Sequence, residues 1–230
     1  MQRFYVTGEL TDIIELSDVI IHHQVTRVLR AKPGDYIVLF NGDGSEREFE
    51  VREITKKTLK LHGWTQRNPQ TEWKIALSLF QALPNKMEKI EYILEKWVEV
   101  GIRRFVFFRS DFSQKLILSD AKKQRFHTIA KEALEQCGWL IMPEIEFRDS
   151  FPHDERGSQN ILLDTTGAIM KLTEMPQKDM IHLWVGPEGG WSESERKKMK
   201  ENGFIFVRFW ERIMRTETAG IVTAFSLLHL

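Results

Sequence analysis

Residues 185–192 read Val-Gly-Pro-Glu-Gly-Gly-Trp-Ser, with three glycines and a proline between an apolar run and a helix-start signal. The run His182–Val185 predicts a buried strand, and Ser192 with Glu195 predicts a capping box for a helix over Glu193–Asn202. Glycines in such a turn expose backbone N–H groups and let a ligand approach closely. The alternative is a tight strand–helix turn without a ligand. Because open α/β sheets bind ligands outside the carboxyl ends of their strands, the position favours a ligand loop.

A second unusual stretch, Arg212–Ala219, follows the last predicted strand and leads into an apolar helix over Thr216–His229. Thr216 is the predicted N-cap, and Glu217 in the first turn suits the helix dipole. Arg212 and Arg215 are suited to an anion or to carbonyl groups, because a guanidinium is a planar fork of donors. The alternative is a surface ion pair with Glu188 or Glu211.

Strand and helix patterns alternate on both sides of the glycine-rich stretch, which predicts a mostly parallel sheet covered on both faces. The predicted strands are Ile75–Phe80, Phe105–Phe108, Ile161–Leu163, His182–Val185 and Ile205–Val207. The predicted helices are Lys86–Val100, Ser119–Gln136, Glu193–Asn202 and Thr216–His229. Gly101, Gly138 and Gly203 fall where helices commonly end on a glycine.

The first 65 residues have a different pattern, with short strands and turn signals typical of a small β-barrel. The predicted strands are Phe4–Val6, Ile13–Ile14, Tyr36–Phe40, Glu48–Ile54 and Thr58–Gly63, with a hairpin turn at Asn41–Gly44. Ser17 is the predicted cap of a helix over Asp18–Leu29, whose apolar stripe is Ile20, Ile21, Val25, Val28 and Leu29. The polar segment Gln66–Thr71 reads as a linker, so we predict one domain over residues 1–68 and another over residues 73–230.

Composition narrows the function classes. The 230 residues carry 33 Lys+Arg and 33 Asp+Glu, so the net charge is zero and a strongly basic nucleic-acid coat is excluded, although a local basic patch is not. The single cysteine, Cys137, excludes an intrachain disulfide framework and a cysteine-based zinc site. No signal peptide or membrane-spanning run is evident, so we expect a cytoplasmic protein without a membrane partner.

Motif searches remove other chemistries. The sequence has no phosphate-binding Gly-x-x-x-x-Gly-Lys-Ser/Thr motif, no Gly-x-Ser-x-Gly elbow and no His-Glu-x-x-His motif, and we expect no metal. The adjacent pair His22-His23 reads as structural or as a surface contact rather than a metal site. A nicotinamide dehydrogenase is disfavoured because the Gly-x-Gly-x-x-Gly fingerprint is absent. Basic residues around the second strand and the next helix form a solvated face or a track for a phosphate backbone: Arg103, Arg104, Arg109, Lys115, Lys122, Lys123 and Arg125.

At the two loops the chain resembles the RsmE family of SPOUT-class methyltransferases, which act on uridine N3 in 16S RNA of the small ribosomal subunit. The most specific matches are Gly186–Gly190 and Arg215–Ala219. Supporting matches extend over almost the whole chain and include Arg3-Phe4, His22-His23, Val28-Leu29-Arg30, Pro33-Gly34-Asp35, Glu95-Lys96, Glu99-Val100-Gly101, Arg109-Ser110, Glu132-Ala133, Glu135-Gln136 and Pro143.

The resemblance implies a PUA-like RNA-binding β-barrel followed by a trefoil-knotted α/β methyltransferase domain, a homodimer, and S-adenosylmethionine as cofactor. The residues implied to hold the cofactor are Leu163, Asp164, Thr165, Val185, Gly186, Pro187, Glu188, Gly189, Gly190, Phe209, Ile213, Met214, Thr216 and Thr218. The residues expected to contact RNA are Arg3, His23, Arg27, Arg30, Arg109 and Arg212.

For the chemistry we predict that Arg215 stabilises the uracil anion that forms and that Glu217 is a possible base, although its place in a first helical turn equally suits a structural role. We also expect the apolar helix Ile221–Leu228, with Trp184 and Trp191 nearby, to supply a two-fold interface.

The chain departs from the family at three places. Trp210 stands where the family usually has glycine, Gly138-Trp139 replaces a basic residue, and Leu83–Met87 is shorter than the usual loop. Trp210 supports an alternative function, a non-catalytic RNA-binding or ribosome assembly factor on the same fold.

Overall fold

A computed structural model describes residues 1–69, 73–114, 118–152, 158–169, 178–208 and 211–228. The chain forms two compact units. The first comprises Met1–Thr71 with Leu134–Met142, and the second comprises Glu72–Ala133 with Pro143–Leu230. Within the first unit, the Glu135 carboxylate accepts a hydrogen bond from the Tyr5 N–H at 2.8 Å. The domain boundaries drawn from the sequence stay predictions.

The first unit is built on a five-stranded sheet in the order β1-β3-β4-β5-β2. Its strands are β1 (Arg3–Tyr5), β2 (Ile13–Leu16), β3 (Tyr36–Phe40), β4 (Glu46–Ile54) and β5 (Leu59–Arg67). The β1–β3 pair is parallel, and the other neighbours are antiparallel. The predicted strands and hairpin are therefore confirmed. Apolar side chains from alternating strand positions form the core, among them Phe4, Leu39, Phe49 and Leu61.

The helix predicted over Asp18–Leu29 is wrong in its cap and its regularity. Asp18, not Ser17, caps α1 (Val19–His23), because its carboxylate accepts the N–H groups of Ile20 and Ile21 at 2.9 Å. A π-helical turn, Gln24–Val28, continues it.

The widened turn changes which side chains of that segment reach the core. Of the predicted apolar stripe, Ile21 and Val25 are buried, whereas Ile20 and Val28 are 64% and 65% exposed. The Nε2 atom of His22 lies 3.0 Å from the Thr55 carbonyl oxygen, a contact that agrees with the structural reading of this side chain.

The second unit contains a fully parallel six-stranded sheet in the order β11-β9-β10-β6-β7-β8. Its strands are β6 (Ala76–Ala82), β7 (Arg104–Phe108), β8 (Glu144–Arg148), β9 (Gln159–Ile169), β10 (Met180–Val185) and β11 (Ile205–Arg208). Its helices are α2 (Met87–Val100), α3 (Asp120–Cys137), α4 (Glu193–Glu201) and α5 (Thr216–Leu228). The predicted parallel sheet is confirmed, as is the left-handed glycine after α2, where Gly101 has φ 93°.

Two strands differ from the sequence prediction. Strand β8 was not predicted, although the alternation of charged and apolar residues in Glu144–Arg148 is typical of an edge strand; Glu146 there binds Arg104 and Arg148. Strand β9 continues well beyond Leu163, the predicted end, to Ile169.

The tryptophans expected near a subunit interface instead lie in the core of the second unit. Trp184 stacks on Phe80 with ring centroids 4.2 Å apart, and both Trp184 and Trp191 are buried. The expectation that they add apolar surface to an interface is therefore wrong. No helix among the described residues is both long and apolar enough to cross a membrane.

Candidate active site

A cavity of about 580 Å³ opens at the ends of β10 and β11, beside the middle of β9. Its wall is formed by the stretch Leu163–Thr165 within β9 and by the loops that follow β10 and β11, with contributions from α2 and α5. The two loops singled out in the sequence, Val185–Gly190 and Arg212–Thr216, therefore lie side by side. Small-molecule sites commonly lie at the carboxyl edge of a parallel sheet, and they commonly have a volume of this size.

Glycine is required in the loop after β10 because the backbone there is closely surrounded. A Cβ atom at Gly186 would lie 3.1 Å from the indole of Trp191, and one at Gly189 would lie 3.1 Å from Cβ of Phe112. Gly190 has φ 69°, and its N–H donates to the Pro187 carbonyl at 2.9 Å to close the turn. The capping box predicted for Ser192 and Glu195 is confirmed and begins α4 directly after this loop.

The β9 stretch that lines the cavity, Leu163–Thr165, is fixed by an ion pair whose carboxylate is buried. Arg196 of α4 donates from Nε to Asp164 at 2.8 Å, and the N–H of Thr166 donates to the same carboxyl group at 2.6 Å. Burial alone would raise the pKa of Asp164, but the hydrogen bonds from Thr166 and Arg196 outweigh it and hold that pKa below its usual value. The indole N–H of Trp191 donates to the Leu163 carbonyl at 3.0 Å, which joins this stretch of β9 to the glycine-rich loop.

A lysine from α2 neutralises the carboxylate of the glycine-rich loop. Lys89 Nζ donates to Glu188 at 2.5 Å, and the Asn85 N–H donates to the same group. Burial acts to raise the pKa of Glu188, but the Lys89 ammonium and the Asn85 N–H lower it overall. Lys89 also lies 3.7 Å from a carboxylate oxygen of Glu217, so one cation serves two carboxylates.

The cavity wall carries more positive than negative charge. Its cationic side chains are Lys89, Arg196, Arg208, Arg212 and Arg215, and its carboxylates are Asp164 and Glu188. Since Lys89 and Arg196 bind those two carboxylates, Arg208, Arg212 and Arg215 have no carboxylate partner among the residues that the structure describes. The alternative of an ion pair between a loop arginine and Glu188 is not found there. The wall is therefore suited to an anionic ligand.

Comparisons with known proteins agree with this geometry. Residues 71–228 match the family model of the RNA methyltransferase domain, and residues 21–62 match that of the RNA methyltransferase PUA domain. The ribosomal RNA small subunit methyltransferase E of Buchnera aphidicola is 31% identical over 98% of this chain and 92% of its own length. The chain belongs to the ribosomal RNA small subunit methyltransferase E family. The resemblance seen in the sequence is thus confirmed.

Two solved structures show the same fold. A methyltransferase from Legionella pneumophila, solved in complex with bound S-adenosylmethionine, is 27% identical and has a TM-score of 0.84, covering 98% of this chain and 96% of that one. The ribosomal RNA small subunit methyltransferase E of Neisseria gonorrhoeae, also bound to S-adenosylmethionine, is 25% identical with a TM-score of 0.85, covering 97% and 95%. The fold is therefore an α/β methyltransferase fold with an N-terminal PUA-like domain.

Most residues expected to hold the cofactor line the cavity of this family member. They are Leu163, Asp164, Thr165, Val185, Gly186, Pro187, Glu188, Gly189, Gly190, Ile213, Met214 and Thr216. Thr218 and Glu217 are not part of the described wall, which takes Thr216, Ala219 and Thr223 from α5. Phe209, and with it Trp210, lies outside the described residues.

Thr216 is not the N-cap that the sequence predicted. It is the first residue of α5, and the carbonyl of Arg215 accepts the first helical hydrogen bond, from Ala219 at 2.8 Å. The Thr216 hydroxyl is used elsewhere: it donates to the Gly186 carbonyl at 2.6 Å. The side chain thus joins the two loops instead of satisfying its own helix.

The residues expected to contact RNA fall into three groups. His23, Arg27 and Arg30 are exposed on the first unit. Arg3 is engaged within that unit, with Glu46 at 2.7 Å and the Gly138 carbonyl. In the second unit, Arg212 lines the main cavity, and Arg109 lines a smaller cavity of about 270 Å³ with Asp111, Glu195 and Lys198.

Sequence reasoning missed several residues of the wall, namely Lys89, Arg196, Arg208, Ala219 and Thr223. Arg196 could have been found, because it lies in the first turns of the helix that the glycine-rich loop opens. Lys89 gave no signal, since only the order of strands brings α2 beside β10.

Proposed function

We propose that this protein transfers a methyl group from S-adenosylmethionine to N3 of a uridine in 16S ribosomal RNA. The observation that carries the proposal is the glycine-lined cavity whose wall holds three arginines without a carboxylate partner in the described chain. The names of relatives, ribosomal RNA small subunit methyltransferase E, and the two structures with bound S-adenosylmethionine support it.

The residues of the cavity fit the cofactor. A Cβ at Gly186 or Gly189 would meet Trp191 or Phe112, so glycine lets the loop pack against these side chains while it offers peptide groups to the cavity wall. Leu163–Thr165, Val185–Gly190, Ile213, Met214 and Thr216 would hold it from three sides. When bound, S-adenosylmethionine supplies an electrophilic methyl group on a sulfonium.

The chain's own contribution is orientation and charge. Holding the methyl carbon in line with the attacking atom lowers the barrier without covalent help. Methyl transfer to uracil N3 displaces a weakly acidic proton, which must pass to a base or to water, and the site can also stabilise the anion that forms. Arg215 would do the latter with donors directed at the uracil carbonyls, and Arg212 would bind the adjacent phosphate. Glu217 stays the candidate base; its neighbour Lys89 equally supports a structural role.

The proposal includes an assembly and a topology. The first domain would be the RNA-binding barrel over residues 1–68, and the second, residues 73–230, would hold a trefoil knot and dimerise through α5. The contact between Thr216 and Gly186 brings the start of α5 back to the end of β10 after β11, as a knot at this place requires. The small ribosomal subunit is the proposed partner and the cytoplasm the proposed location.

The test is mass mapping of methylated nucleosides in 16S RNA from cells with and without this protein, together with calorimetry of S-adenosylmethionine binding. We expect one 3-methyluridine to disappear without the protein and to return when purified protein and cofactor are added to small subunits. Folded protein that binds no cofactor would support the assembly-factor alternative. A methyl group on another atom would refute the N3 assignment.

A further inference from the structure

A buried glutamine lies directly beneath the cavity without lining it. Gln81 is the second-last residue of β6, it is 0% exposed, and it pairs in register with Val185 of β10. The cavity wall includes Val185 and Gly186 above it but not Gln81 itself. Any effect of this side chain on a ligand must therefore pass through the backbone and side chains that it contacts.

The carboxamide of Gln81 connects the loop after β10 with the start of α5. Its Nε2 donates to the Ala82 carbonyl at 2.8 Å and to the Thr216 hydroxyl at 3.0 Å, and lies 3.3 and 3.4 Å from the carbonyls of Val185 and Gly186. The Thr216 hydroxyl in turn donates to Gly186 at 2.6 Å. Gln81, Gly186 and Thr216 thus form a closed triangle of hydrogen bonds inside the protein.

This triangle fixes the backbone on both sides of the site. Gly186 begins the glycine-rich loop, and Thr216 directly follows Arg215, whose carbonyl accepts the N–H groups of Thr218 and Ala219. Because the peptide bond between Arg215 and Thr216 is rigid, holding Thr216 restricts where the Arg215 side chain begins. The distance between the arginine and the glycine-rich loop is therefore set by Gln81 and Thr216.

The same side chain is poorly suited to a purely stabilising role. Its Oε1 is buried and accepts no hydrogen bond from the residues that the structure describes. A buried acceptor without a donor lowers stability, and an apolar side chain of the same length would avoid that loss.

We propose that Gln81 is a positioning residue for methyl transfer, which holds the glycine-rich loop and the Arg215 loop at a fixed separation. The proposal rests on the function proposed above. Gln81→Met keeps the length and the burial but removes the donor. We expect kcat at saturating cofactor and RNA to fall tenfold or more, while the melting temperature falls by only a few degrees, because loss of the Nε2 donor is partly offset by loss of the unpaired Oε1.

A matched control is available in the same sheet. Gln159 of β9 is also buried, and neither polar atom of its side chain has a partner among the described residues. It pairs with Ile181, near the start of β10, at the strand ends away from the cavity. Gln159→Met should leave kcat unchanged.

The partner in the triangle supplies a second measurement. Thr216→Val should lower kcat. Thr216→Ser should have a higher kcat than Thr216→Val, because serine keeps the hydroxyl. The double variant, Gln81→Met with Thr216→Val, should be no slower than the slower of the two single variants. The proposal would be overturned if the effects of the two substitutions on kcat multiply in the double variant. It would also be overturned if the loss of kcat is no larger than the loss of folded protein that the melting temperature indicates.

Hydrogen exchange separates this proposal from the proposed function. In Gln81→Met, but not in Gln159→Met, amide exchange should be faster in residues 186–190 and in the first turn of α5. If Gln81→Met shows this faster exchange but the wild-type protein methylates no RNA, then Gln81 holds the two loops and the proposed function is refuted. Unchanged exchange and an unchanged kcat in an active enzyme would refute the positioning role alone.

Discussion

At the scale of single residues, the charged side chains of the cavity divide by whether a carboxylate neutralises them. Lys89 and Arg196 are bound to Glu188 and Asp164, so they hold the loops in place. Arg212 and Arg215 have no such partner in the described part of the chain and line the cavity. A cation that is not neutralised by the protein is available to a developing negative charge in the substrate.

Arg215→Ala should therefore lower the methylation rate by about 100-fold or more, which is the usual effect of removing one donor to a transition-state anion. Affinity for S-adenosylmethionine and the melting temperature should be nearly unchanged. The measurement is single-turnover methyl transfer beside calorimetry. Arg52→Ala, which removes an exposed ion pair with Glu50 in the first unit, is the control. Near-normal methylation by the Arg215 variant would remove Arg215 from the mechanism, and catalysis would then be explained by positioning of the cofactor.

The buried Asp164 makes a prediction about pH. Because hydrogen bonds hold its pKa in the folded protein below the unfolded value of about 3.9, its contribution to stability is complete above that pH and is lost as pH falls through the folded pKa. Asp164→Asn should lower the melting temperature at pH 7, and the difference from wild type should shrink below about pH 4. Asp120→Asn, at an exposed position, should show no such pattern. A difference that does not change with pH would contradict this account.

At the scale of elements, the packing of α5 on α2 depends on one glycine. A Cβ atom at Gly220 would lie only 2.0 Å from Cζ2 of the buried Trp97. Helix propensity alone predicts that alanine there gains about 1 kcal/mol, because glycine is a poor helix former. The close approach of the two helices reverses that expectation, because overpacked cores lose about 1–3 kcal/mol.

Gly220→Ala should accordingly lower the melting temperature by several degrees. Adding Trp97→Phe should recover part of the loss, since it shortens the ring and since the indole N–H of Trp97 has no hydrogen-bond partner in the described structure. Thermal unfolding of the single and double variants followed by circular dichroism is the measurement. A more stable Gly220→Ala variant would show that the two helices separate readily.

At the scale of the whole molecule, the outer side of α5 remains apolar after folding. Val222 and Phe225 are 42% and 52% exposed, and Tyr92 of the neighbouring α2 is 46% exposed. A two-fold interface is the commonest way in which soluble proteins bury such surface. The proposed homodimer therefore rests on these side chains and no longer on the tryptophans, which lie in the core.

Val222→Glu should convert the dimer into a monomer, because a carboxylate in the centre of an apolar interface has no partner there. Sedimentation velocity at several micromolar concentrations measures this. Ile13→Glu, which changes a more exposed apolar side chain in the first unit, should leave the dimer intact. A wild-type protein that sediments as a monomer at every concentration would refute the assembly.

The sequence by itself determined the features that depend on neighbouring residues. The capping box of Ser192 and Glu195, the left-handed Gly101 and the strand Tyr36–Phe40 were all predictable, because a cap, a turn or a short apolar run between turn residues is set within a few residues. The glycine-rich loop and the Arg212–Thr216 loop were predictable as a site for the same reason, and the family resemblance supplied the ligand. The π-helical turn after α1 was not, because the pattern of apolar residues does not show an inserted residue.

Only the tertiary structure decided which side chains meet. The pairs Lys89–Glu188 and Arg196–Asp164, and the triangle around Gln81, join residues that are far apart along the chain. The parallel order β9-β10-β6 brings those residues to one edge of the sheet, and no local pattern encodes that order. The physical reason is that a charge is neutralised, or a helix approached closely, only by what packs against it in space. This is why the roles of Gly220 and Gln81 follow from the folded molecule.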